Sequence, residues 1–387
     1  MEWKEVRLGE VCEIYGRIGF RGYTTNDLVD TPKEGAISLS PKNIINGELN
    51  LDKCTYIKWD KYYESPEIMI NPNEIIITKT GSSVGRTTFV RRVVHPMTLN
   101  PQLVVLKNIS ENAEFLSYYI KSALFQSVLK SIVVGSAIPT LSQKNLANLI
   151  INVPKEVAYQ HRIASILSSL DRKIELNNKI NADLEEMAQA IFKNWFVDFE
   201  PFKDGKFVDS ELGMIPEGWK VGCLGDLITI KYGKDHKKLE DGTFPVYGSG
   251  GFMRFVNSWL YDGESVLIPR KGTLDNIMYV CEKFWTVDTM FFSVPKMDYV
   301  MKYVYNYIKR FDFSKMNEGT SVPSNTAARL NKMPILIPTH EILEMYDETL
   351  CPIYNKRKMK DKESRILSLL RDTLLPRLMS GELEVPK

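Results

Sequence analysis

The chain has 387 residues, a length that is too great for one compact core and favours two or three domains. Apolar residues make up 44% of it and charged residues 25%, and these ordinary proportions exclude a disordered, collagen-like or disulfide-scaffold protein. The 50 Lys and Arg residues nearly balance the 48 Asp and Glu residues, so a nucleic-acid surface would require local segregation of charge.

The cysteines, the histidines and the apolar segments exclude further classes of protein and of binding site. The five cysteines are scattered and form no CxxC pair, which favours a reducing compartment. The four histidines do not cluster with them, so no metal site is expected. No uncharged apolar run reaches the roughly 18 residues of a membrane span, and the first residues lack the apolar core of a signal peptide. We therefore expect a cytoplasmic protein with no membrane partner.

An internal repeat organises the chain, beginning with its first residues. The segment WKEVRLGE at 3–10 recurs as WKVGCLGD at 219–226, with Trp, Lys, Leu, Gly and an acidic residue in register. The second copy follows 212–218, where Pro and Gly indicate a linker turn. The chain therefore contains two related halves.

A second matching pair lies deeper in each half. Residues 74–81 (EIIITKTG) and 264–272 (ESVLIPRKG) both predict a buried strand that runs into a polar loop containing glycine. Between these landmarks the halves diverge, because 24–61 has no good counterpart in 234–260. A shared scaffold with a divergent interior suggests one task performed on two different targets.

A third matching pair closes each half. The segments 135–154 and 319–338 each contain Gly-x-x-Ile/Val-Pro, a short helical stretch, an apolar strand and a final proline at a constant offset. A long helical pattern follows each of them.

The first long helix is predicted from about 155 to 196 and would span roughly 60 Å. Its seam residues, at alternating four- and three-residue steps typical of a coiled coil, are Ile163, Leu167, Leu170, Ile174, Asn177, Asn181, Leu184, Ala188, Ile191 and Trp195. The second is predicted from about 341 to 379, and its less regular seam comprises Tyr346, Leu350, Ile353, Leu367, Leu374 and Leu378. We expect Pro352 and Pro376 to kink or end it, and the obvious partner of each helix is the other.

The predicted fold class is α/β (α+β): two similar globular domains with an internal pseudo-twofold repeat, separated by two long antiparallel helices in a coiled coil. The expected boundaries are 1–154 for the first domain, 155–200 for the central helix, 201–338 for the second domain and 339–387 for the C-terminal helix.

Polar residues near the strand ends are candidates for DNA contact. The loop 81–87 (GSSVGRT) is one residue short of a phosphate-binding P-loop and has Arg in place of Lys, which argues against an NTPase. Arg and Lys carry most contacts to DNA, but a plain surface loop or a solvated charged face explains the same pattern. The candidates are Lys79, Ser82, Ser83, Arg86, Arg91, Arg92, Lys238, Arg270, Lys271 and Thr273.

Other motifs favour structural roles. The glycine-rich 248–251 lacks the spacing of a dinucleotide site and is typical of a turn. The basic block 356–362 is typical of a solvated coiled-coil flank. Asn71-Pro72-Asn73 and Asn100-Pro101-Gln102 lack the second proline and aromatic residue of an amino-methyltransferase loop. Asp198 and Glu200 followed by Lys203 have the residue types of a nuclease site but end a helix at a domain junction.

The layout resembles the specificity subunit of type I restriction-modification systems across essentially the whole chain. The matching pieces are the two WK-x-x-x-LG segments, the loop TGSSVGR at 80–86, the helix 177–201 that ends in IFKNWFVDFEP, the LGMIPEGW string at 212–219 and the LLPRLMSG ending at 374–381. Of these, the long helix end with the string that follows it is highly specific.

The resemblance implies that each globular domain reads one half of a bipartite, asymmetric sequence in double-stranded DNA. It further implies that the helical pair sets the spacing and docks two modification methyltransferase (M) subunits, which the restriction/translocase (R) subunit joins. The chain itself would be non-catalytic, with S-adenosylmethionine, ATP and Mg belonging to its partners. The alternatives are a two-headed coiled-coil scaffold for protein interactions and a standalone DNA nuclease or methyltransferase.

Overall fold

The computed structural model of the chain describes residues 2–133, 139–313, 315 and 324–385. These form two units, Met1–Leu176 with Glu363–Lys387 (unit 1) and Asn177–Lys362 (unit 2). The Gly-x-x-Ile/Val-Pro parts of the third matching pair fall mostly on 134–138 and 316–323, which lie outside the described residues. Among the helices that are described, none is both long and apolar enough to cross a membrane.

Unit 1 contains two four-stranded sheets, ordered β2-β11-β8-β9 and β10-β4-β7-β3, with helices packed on them. Its strands are β1 (Trp3–Arg7), β2 (Glu13–Gly16), β3 (Leu28–Val29), β4 (Gly35–Leu39), β5 (Ile44–Ile45), β6 (Glu48–Leu49), β7 (Tyr56–Lys58), β8 (Ile75–Thr78), β9 (Thr87–Phe89), β10 (Met97–Leu99), β11 (Leu103–Lys107) and β12 (Ile150–Pro154). Its short helices are α1 (Leu8–Val11), α2 (Trp59–Tyr63), α3 (Ala113–Lys121), α4 (Ala123–Ser131) and α5 (Gln143–Ala147), and the long helix α6 (Val157–Phe196) follows β12.

Unit 2 contains a six-stranded sheet, ordered β16-β21-β19-β20-β17-β18. Its strands are β13 (Phe207–Val208), β14 (Ile215–Pro216), β15 (Lys220–Cys223), β16 (Ile228–Tyr232), β17 (Phe244–Gly248), β18 (Gly251–Val256), β19 (Tyr261–Pro269), β20 (Met278–Thr286), β21 (Met290–Pro295) and β22 (Pro334–Ile337). Its short helices are α7 (Leu224–Leu227), α8 (Met301–Ile308) and α9 (Ala327–Asn331), and the long helix α10 (His340–Met379) follows β22.

The sequence repeat is also a repeat of backbone pairing. Strands β1 and β12 are antiparallel with Lys4 opposite Val153, and β15 and β22 are antiparallel with Lys220 opposite Ile337. The order β2-β11-β8-β9 of unit 1 recurs in unit 2 as β16-β21-β19-β20. The interiors differ as expected, because unit 1 adds the β10-β4-β7-β3 sheet whereas unit 2 adds β17 and β18 to its existing sheet.

Packing and capping explain the residues of the WK-x-x-x-LG-acid pattern. Glu10 and Asp226 each accept a hydrogen bond from the backbone N–H that precedes the short helix, at 2.9 and 2.7 Å, which satisfies a donor that the helix itself cannot. A Cβ on Gly9 would lie 2.9 Å from the side chain of α5, and one on Gly225 would lie 3.1 Å from the backbone that ends α9. The glycine and the acidic residue of the pattern are therefore explained by the packing of the first short helix of each half against its last short helix.

The long helices bury different stretches of their seams. Of the predicted seam residues, Ile163 and Leu167 are buried in the core of unit 1 and Leu184 is buried in unit 2. The half-buried members are Leu170, Ile174, Asn181, Ile191, Trp195, Ile353, Leu367 and Leu374. On α10 the buried stripe in unit 2 is Leu343, Tyr346, Leu350 and Tyr354, of which the sequence analysis named two.

The two prolines do not end α10, contrary to what the sequence suggested. The helix continues through Pro352 and Pro376 as far as Met379. Both prolines are exposed, so each costs a backbone hydrogen bond on the solvent side while the opposite face stays packed.

Within each unit the two long helices lie antiparallel. Side chains join them in reversed chain order, Asp171 with Arg371 and Lys173 with Glu363 in unit 1, and Asn181 with Asp361 and Glu185 with Arg357 in unit 2. The expected fold class is confirmed: two similar α/β (α+β) units that carry an internal repeat, with two long antiparallel helices.

A buried ion pair joins the start of α8 to α10 in unit 2. The Lys302 side chain is only 5% exposed, and its ammonium lies 2.6 Å from Asp347 and 3.2 Å from Glu264. Burial lowers the pKa of Lys302, but the hydrogen bonds and charges of the two carboxylates outweigh it, so the pKa is raised overall. The ammonium therefore stays charged and keeps α10 on the second repeat.

Substitution of Lys302 tests this attachment. We expect Lys302→Met to lower the free energy of unfolding by about 3–5 kcal/mol, because it leaves a buried carboxylate unpaired. Urea unfolding of the full chain, followed by tryptophan fluorescence, measures the change. Lys315, whose pair with Asp312 is 85% exposed on the lysine side, provides the control: Lys315→Met should change stability by no more than about 0.5 kcal/mol. Equal effects of the two substitutions would contradict a structural role for the Lys302 pair.

Candidate nucleic-acid interface

In unit 1 the residue after strand β8 is held by hydrogen bonds from two sides. The backbone N–H of Lys79 donates to the carbonyl of Gln102 at 2.8 Å, and the carbonyl of Lys79 accepts from the N–H of Leu141 at 2.8 Å. Gln102 ends the turn that leads into β11, and Leu141 belongs to the segment that closes the first half. The position of Lys79 therefore depends on strand pairing and not on the loop alone.

Unit 2 repeats these bonds at the end of β19. The N–H of Arg270 donates to the carbonyl of Thr289 at 2.8 Å, and its carbonyl accepts from the N–H of Asn325 at 3.0 Å. Arg270 is therefore the structural counterpart of Lys79, at the same strand end and with the same backbone partners. We call this shared arrangement of bonds the strand-end frame.

The loop after Lys79 is compact. Gly85 donates from its N–H to the carbonyl of Thr78 at 2.9 Å, and Gly81 and Gly85 have φ of +101° and +90°, the left-handed conformation that favours glycine. A Cβ on Gly85 would lie 2.8 Å from the side-chain oxygen of Gln126 on α4. The glycines of the loop thus serve a tight turn seated on a helix.

This turn displays Ser82, Ser83 and Arg86 beside Lys79. Ser82 and Arg86 are exposed, and Ser83 is half-buried. The side chain of Lys79 is also half-buried, and burial lowers its pKa. In the part of the chain that the structure describes, neither Lys79 nor Arg86 has a carboxylate partner. Two unpaired cations beside two hydroxyls are suited to a phosphate group.

The frame adds two residues that the sequence analysis did not select as DNA contacts, Asn100 and Gln102. The side-chain amide of Asn100 donates to that of Gln102 at 3.2 Å, and both lie on the turn that bonds the backbone of Lys79. Asn and Gln side chains suit the hydrogen-bonding edge of adenine in the major groove. No local signal marks them, because they reach Lys79 only through the pairing of β11 with β8.

Arg91 and Arg92 are not brought to this loop. They follow β9, whereas Arg86 precedes it, so the two groups lie at opposite ends of that strand. The guanidinium of Arg91 is paired with Glu114, which also lies 3.8 Å from Arg172. Burial lowers the pKa of Arg91, but the hydrogen bond and charge of Glu114 outweigh it and the pKa is raised overall. Arg92 is exposed.

In unit 2 the frame displays a different set of side chains. The guanidinium of Arg270 lies over the ring of Tyr232 at 5.5 Å and donates weakly to the carbonyl of Asp288 at 3.5 Å. Lys271 and Thr273 are exposed, and Tyr232 is 54% exposed. An arginine stacked on an exposed tyrosine offers both charge and a flat apolar surface to a nucleic acid.

Lys238 lies on a separate segment of unit 2. Arg254 holds that segment by donating to the carbonyls of His236 at 2.7 Å and Leu239 at 2.8 Å. Lys238 is exposed, and no contact among the described residues links it to the frame. Lys234 lies nearer to the frame, because its N–H donates at 2.9 Å to the carbonyl of Thr286, which comes just before the turn that bonds Arg270.

The glycine-rich segment 248–251 is a hairpin turn that joins β17 to β18. Asn276 donates from its side chain to the carbonyl of Ser249 at 2.9 Å, and a Cβ on Gly272 would lie 2.5 Å from the Ser249 hydroxyl. The turn therefore packs against the loop that begins at Arg270. No cluster of His, Cys, Asp and Glu suited to a metal ion occurs among the residues described here.

Comparison with known proteins agrees with this picture. The family described as the type I restriction modification DNA specificity domain matches residues 1–186 and 216–360. A type I restriction enzyme specificity subunit of Methanocaldococcus jannaschii is 26% identical over 424 residues, covering 99% of this chain and 94% of that protein. A type I restriction enzyme specificity subunit of Haemophilus influenzae is 21% identical over 473 residues, covering 99% of this chain and all of that protein (100%).

A solved structure shares the fold. The S subunit of a type I restriction-modification system from M. genitalium superposes with a TM-score of 0.58, at 18% identity, over 97% of this chain and 96% of that one.

The strand-end frame of unit 1 can be tested by substitution of Arg86. We expect Arg86→Ala in the full chain to weaken binding to duplex DNA about tenfold and to reduce the slope of log affinity against log salt by about one, as loss of one phosphate contact should. Fluorescence anisotropy at several salt concentrations measures both quantities. The control is Lys155→Ala, which removes an exposed cation paired with Glu2 and should leave the slope unchanged. A slope that changes equally in both variants would contradict the assignment.

Proposed function

We propose how this chain reads DNA, starting from the premise that it belongs to the type I restriction-modification DNA specificity family. It is a DNA sequence-recognition subunit, as its similarity to specificity subunits over 99% of its length indicates. In our proposal each unit reads one half of a bipartite, asymmetric DNA site. The observation that carries this is the strand-end frame, which both units share while displaying different side chains.

The two units present different side chains on the strand-end frame, and this difference supports recognition of two different half-sites. At equivalent positions of the frame, unit 1 places Gln102 and unit 2 places Thr289, and the cations are Lys79 and Arg270. Phosphate contacts position a protein on DNA, whereas base edges are distinguished by the particular donors and acceptors presented to them. Because the two frames have the same backbone bonds, the two units would dock on DNA in the same way. Because their side chains differ, they would read different base sequences.

The long helices supply the spacing in this proposal. Each is 40 residues long and uninterrupted, and they lie antiparallel within both units. Half-site spacing follows the spacing of the domains that read the half-sites, and a packed helical pair can hold a separation that a flexible linker cannot. We assign the reading domains to 1–154 and 201–338 and the spacer to 155–200 and 339–387.

The proposal also assigns chemistry and assembly to partners. The chain would be the non-catalytic member of a complex with two M subunits and with R subunits. The M subunits would carry S-adenosylmethionine, and ATP and Mg would belong to the partner subunits. Lys79 and Arg86, which have no carboxylate partner among the described residues, favour duplex DNA over a protein ligand as the target of unit 1, since they lie on a turn with hydroxyl groups.

Methylation mapping tests the function. Genomic DNA from a methylation-free host that expresses this chain with the methyltransferase subunit of its own system should carry methyl groups at one split motif with a constant gap. Replacement of 270–277 should change one half of that motif and leave the other half intact. A continuous motif, or methylation that needs no specificity subunit, would contradict the proposal.

Lengthening the helices tests the spacer. We expect a seven-residue heptad inserted into both α6 and α10 to lengthen the gap, because seven residues add about 10 Å of helix and this equals about three base pairs at about 3.4 Å each. The same mapping experiment measures the gap. The control is a heptad inserted into only one helix. It puts the seams of α6 and α10 out of register with each other and should abolish specific methylation. An unchanged gap after the paired insertion would reject the spacer.

A further inference from the structure

A buried tyrosine, a carboxylate and an arginine meet where unit 1 contacts both long helices. The hydroxyl of Tyr118 on α3 donates to the Asp171 carboxylate on α6 at 2.5 Å. The other carboxylate oxygen accepts from Arg371 on α10 at 2.8 Å. Burial and the charge of Asp171 raise the pKa of Tyr118, so its hydroxyl remains a donor. We call these three residues the unit 1 cluster.

Unit 2 contains the same three groups. The hydroxyl of Tyr305 on α8 donates to the Glu185 carboxylate on α6 at 2.9 Å. The same carboxylate forms an ion pair with Arg357 on α10. The guanidinium of Arg357 also lies over the rings of Tyr305, at 5.9 Å, and Tyr354, at 5.4 Å. We call Tyr305, Glu185 and Arg357 the unit 2 cluster.

The two tyrosines occupy equivalent positions of the repeat. Val104 on β11 lies opposite Ile77, and Phe291 on β21 lies opposite the equivalent Ile268. Tyr118 follows Val104 at the same chain distance at which Tyr305 follows Phe291, so no gap is needed to align α3 with α8. The residues on either side of the tyrosines differ between the halves. The tyrosine is therefore a shared feature of two otherwise divergent helices.

The charged members also match in spacing and in direction. Glu185 lies two heptads after Asp171 on α6, and Arg357 lies two heptads before Arg371 on α10. The carboxylate is on α6 and the arginine on α10 in both clusters. Each unit therefore specifies, through its own contacts, the same antiparallel register of α6 against α10.

Apolar seams alone do not specify that register. Leucine and isoleucine at a and d positions can pack again after a slip of one heptad, because the apolar pattern repeats. A slip would separate both carboxylates from their arginines, although the carboxylates are only 16% and 19% exposed. A half-buried charge without its partner is costly, so the clusters disfavour every register but one.

We propose that the unit 1 and unit 2 clusters fix the register of α6 against α10 and thereby determine the gap between the DNA half-sites. Asp171, Glu185, Arg357 and Arg371 are positioning residues in this scheme, and they contact no DNA. The part that concerns the gap rests on the proposed function. The part that concerns the register does not, and it can be tested on the purified chain.

Cross-linking within unit 1 reports the register. The side chains of Lys173 and Glu363 lie 3.5 Å apart and are 41% and 38% exposed, so Lys173→Cys with Glu363→Cys should react with a short bis-maleimide in the native register. Lys173→Cys with Leu370→Cys should react only after a slip of one heptad. Cys351→Ser removes the native cysteine of α10 from the background, and single-cysteine variants control for other products.

Two charge variants then test the clusters. The neutral variant carries D171N, E185Q, R357M and R371M, and the reversed variant carries D171R, R371D, E185R and R357E. We expect the neutral variant to lose at least half of the native cross-link and to gain the shifted one, and the reversed variant to regain the native cross-link. The control is K193A with D198A, which removes an exposed ion pair that does not join the two helices and should leave the pattern unchanged.

The register proposal is overturned if the neutral variant cross-links like the native chain, or if the control shifts the pattern equally. Circular dichroism of each variant shows that the helices persist. In the complex with the methyltransferase, we expect the preference for the native gap over gaps three base pairs longer or shorter to fall at least tenfold in the neutral variant and to return in the reversed one, because a slip of one heptad is about 10 Å, or about three base pairs. Retained preference in the neutral variant rejects the effect on the gap.

The two proposals fail in different ways. If the native chain directs methylation to no split motif, the proposed function is wrong, while the cross-linking pattern still decides the register. If the native chain directs methylation to a split motif and the neutral variant keeps both its gap and its cross-link, only the clusters are rejected.

Discussion

In our proposal the register of α6 against α10 depends on two carboxylates of α6, each of which is shared between a tyrosine of a globular unit and an arginine of α10. Burial of apolar side chains has no preferred direction, so it can hold two helices together without specifying how far one is displaced along the other. The hydrogen bond from a buried tyrosine hydroxyl to the carboxylate and the ion pair between the carboxylate and arginine are directional. Both are lost when the helices slip. The globular repeats therefore take part in defining the helix pair.

The same separation of roles appears where the units present side chains to a ligand. The backbone bonds of the strand-end frame are satisfied by the sheets, so the side chains at these positions are free to differ. Unit 1 places the amides of Asn100 and Gln102 beside Lys79, whereas unit 2 places Thr289 and the carbonyl of Asp288 beside Arg270. A frame that needs no particular side chain allows two copies of one fold to recognise different sequences.

Much of the architecture could be predicted from the sequence because it depends on patterns that repeat. The two halves, the strand before each loop and the long helices all follow from periodic apolar residues and from the matching WK-x-x-x-LG segments. The continuation of α10 through Pro352 could not be predicted, since it depends on which face of the helix is exposed. Tyr354 was missed for another reason: Ile353 and Tyr354 both lie one helical turn after Leu350, and the sequence analysis chose Ile353, whereas the structure buries Tyr354, whose hydroxyl accepts a hydrogen bond from Asn306 on α8 at 3.0 Å.

The candidate interface shows most clearly where pattern alone is insufficient. Lys79 and Arg91 are both cations that flank a buried strand, and the sequence gives no reason to separate them. Their surroundings differ, because Arg91 faces Glu114 across to α3 whereas Lys79 is half-buried beside hydroxyl and amide groups. Burial lowers the pKa of both side chains, and within the part of the chain that the structure describes a carboxylate reverses this effect for Arg91 but not for Lys79. An unpaired cation at a strand end is therefore a better indication of an anionic ligand than a pair of arginines, and strand pairing, which is not local in sequence, decides which cation remains unpaired.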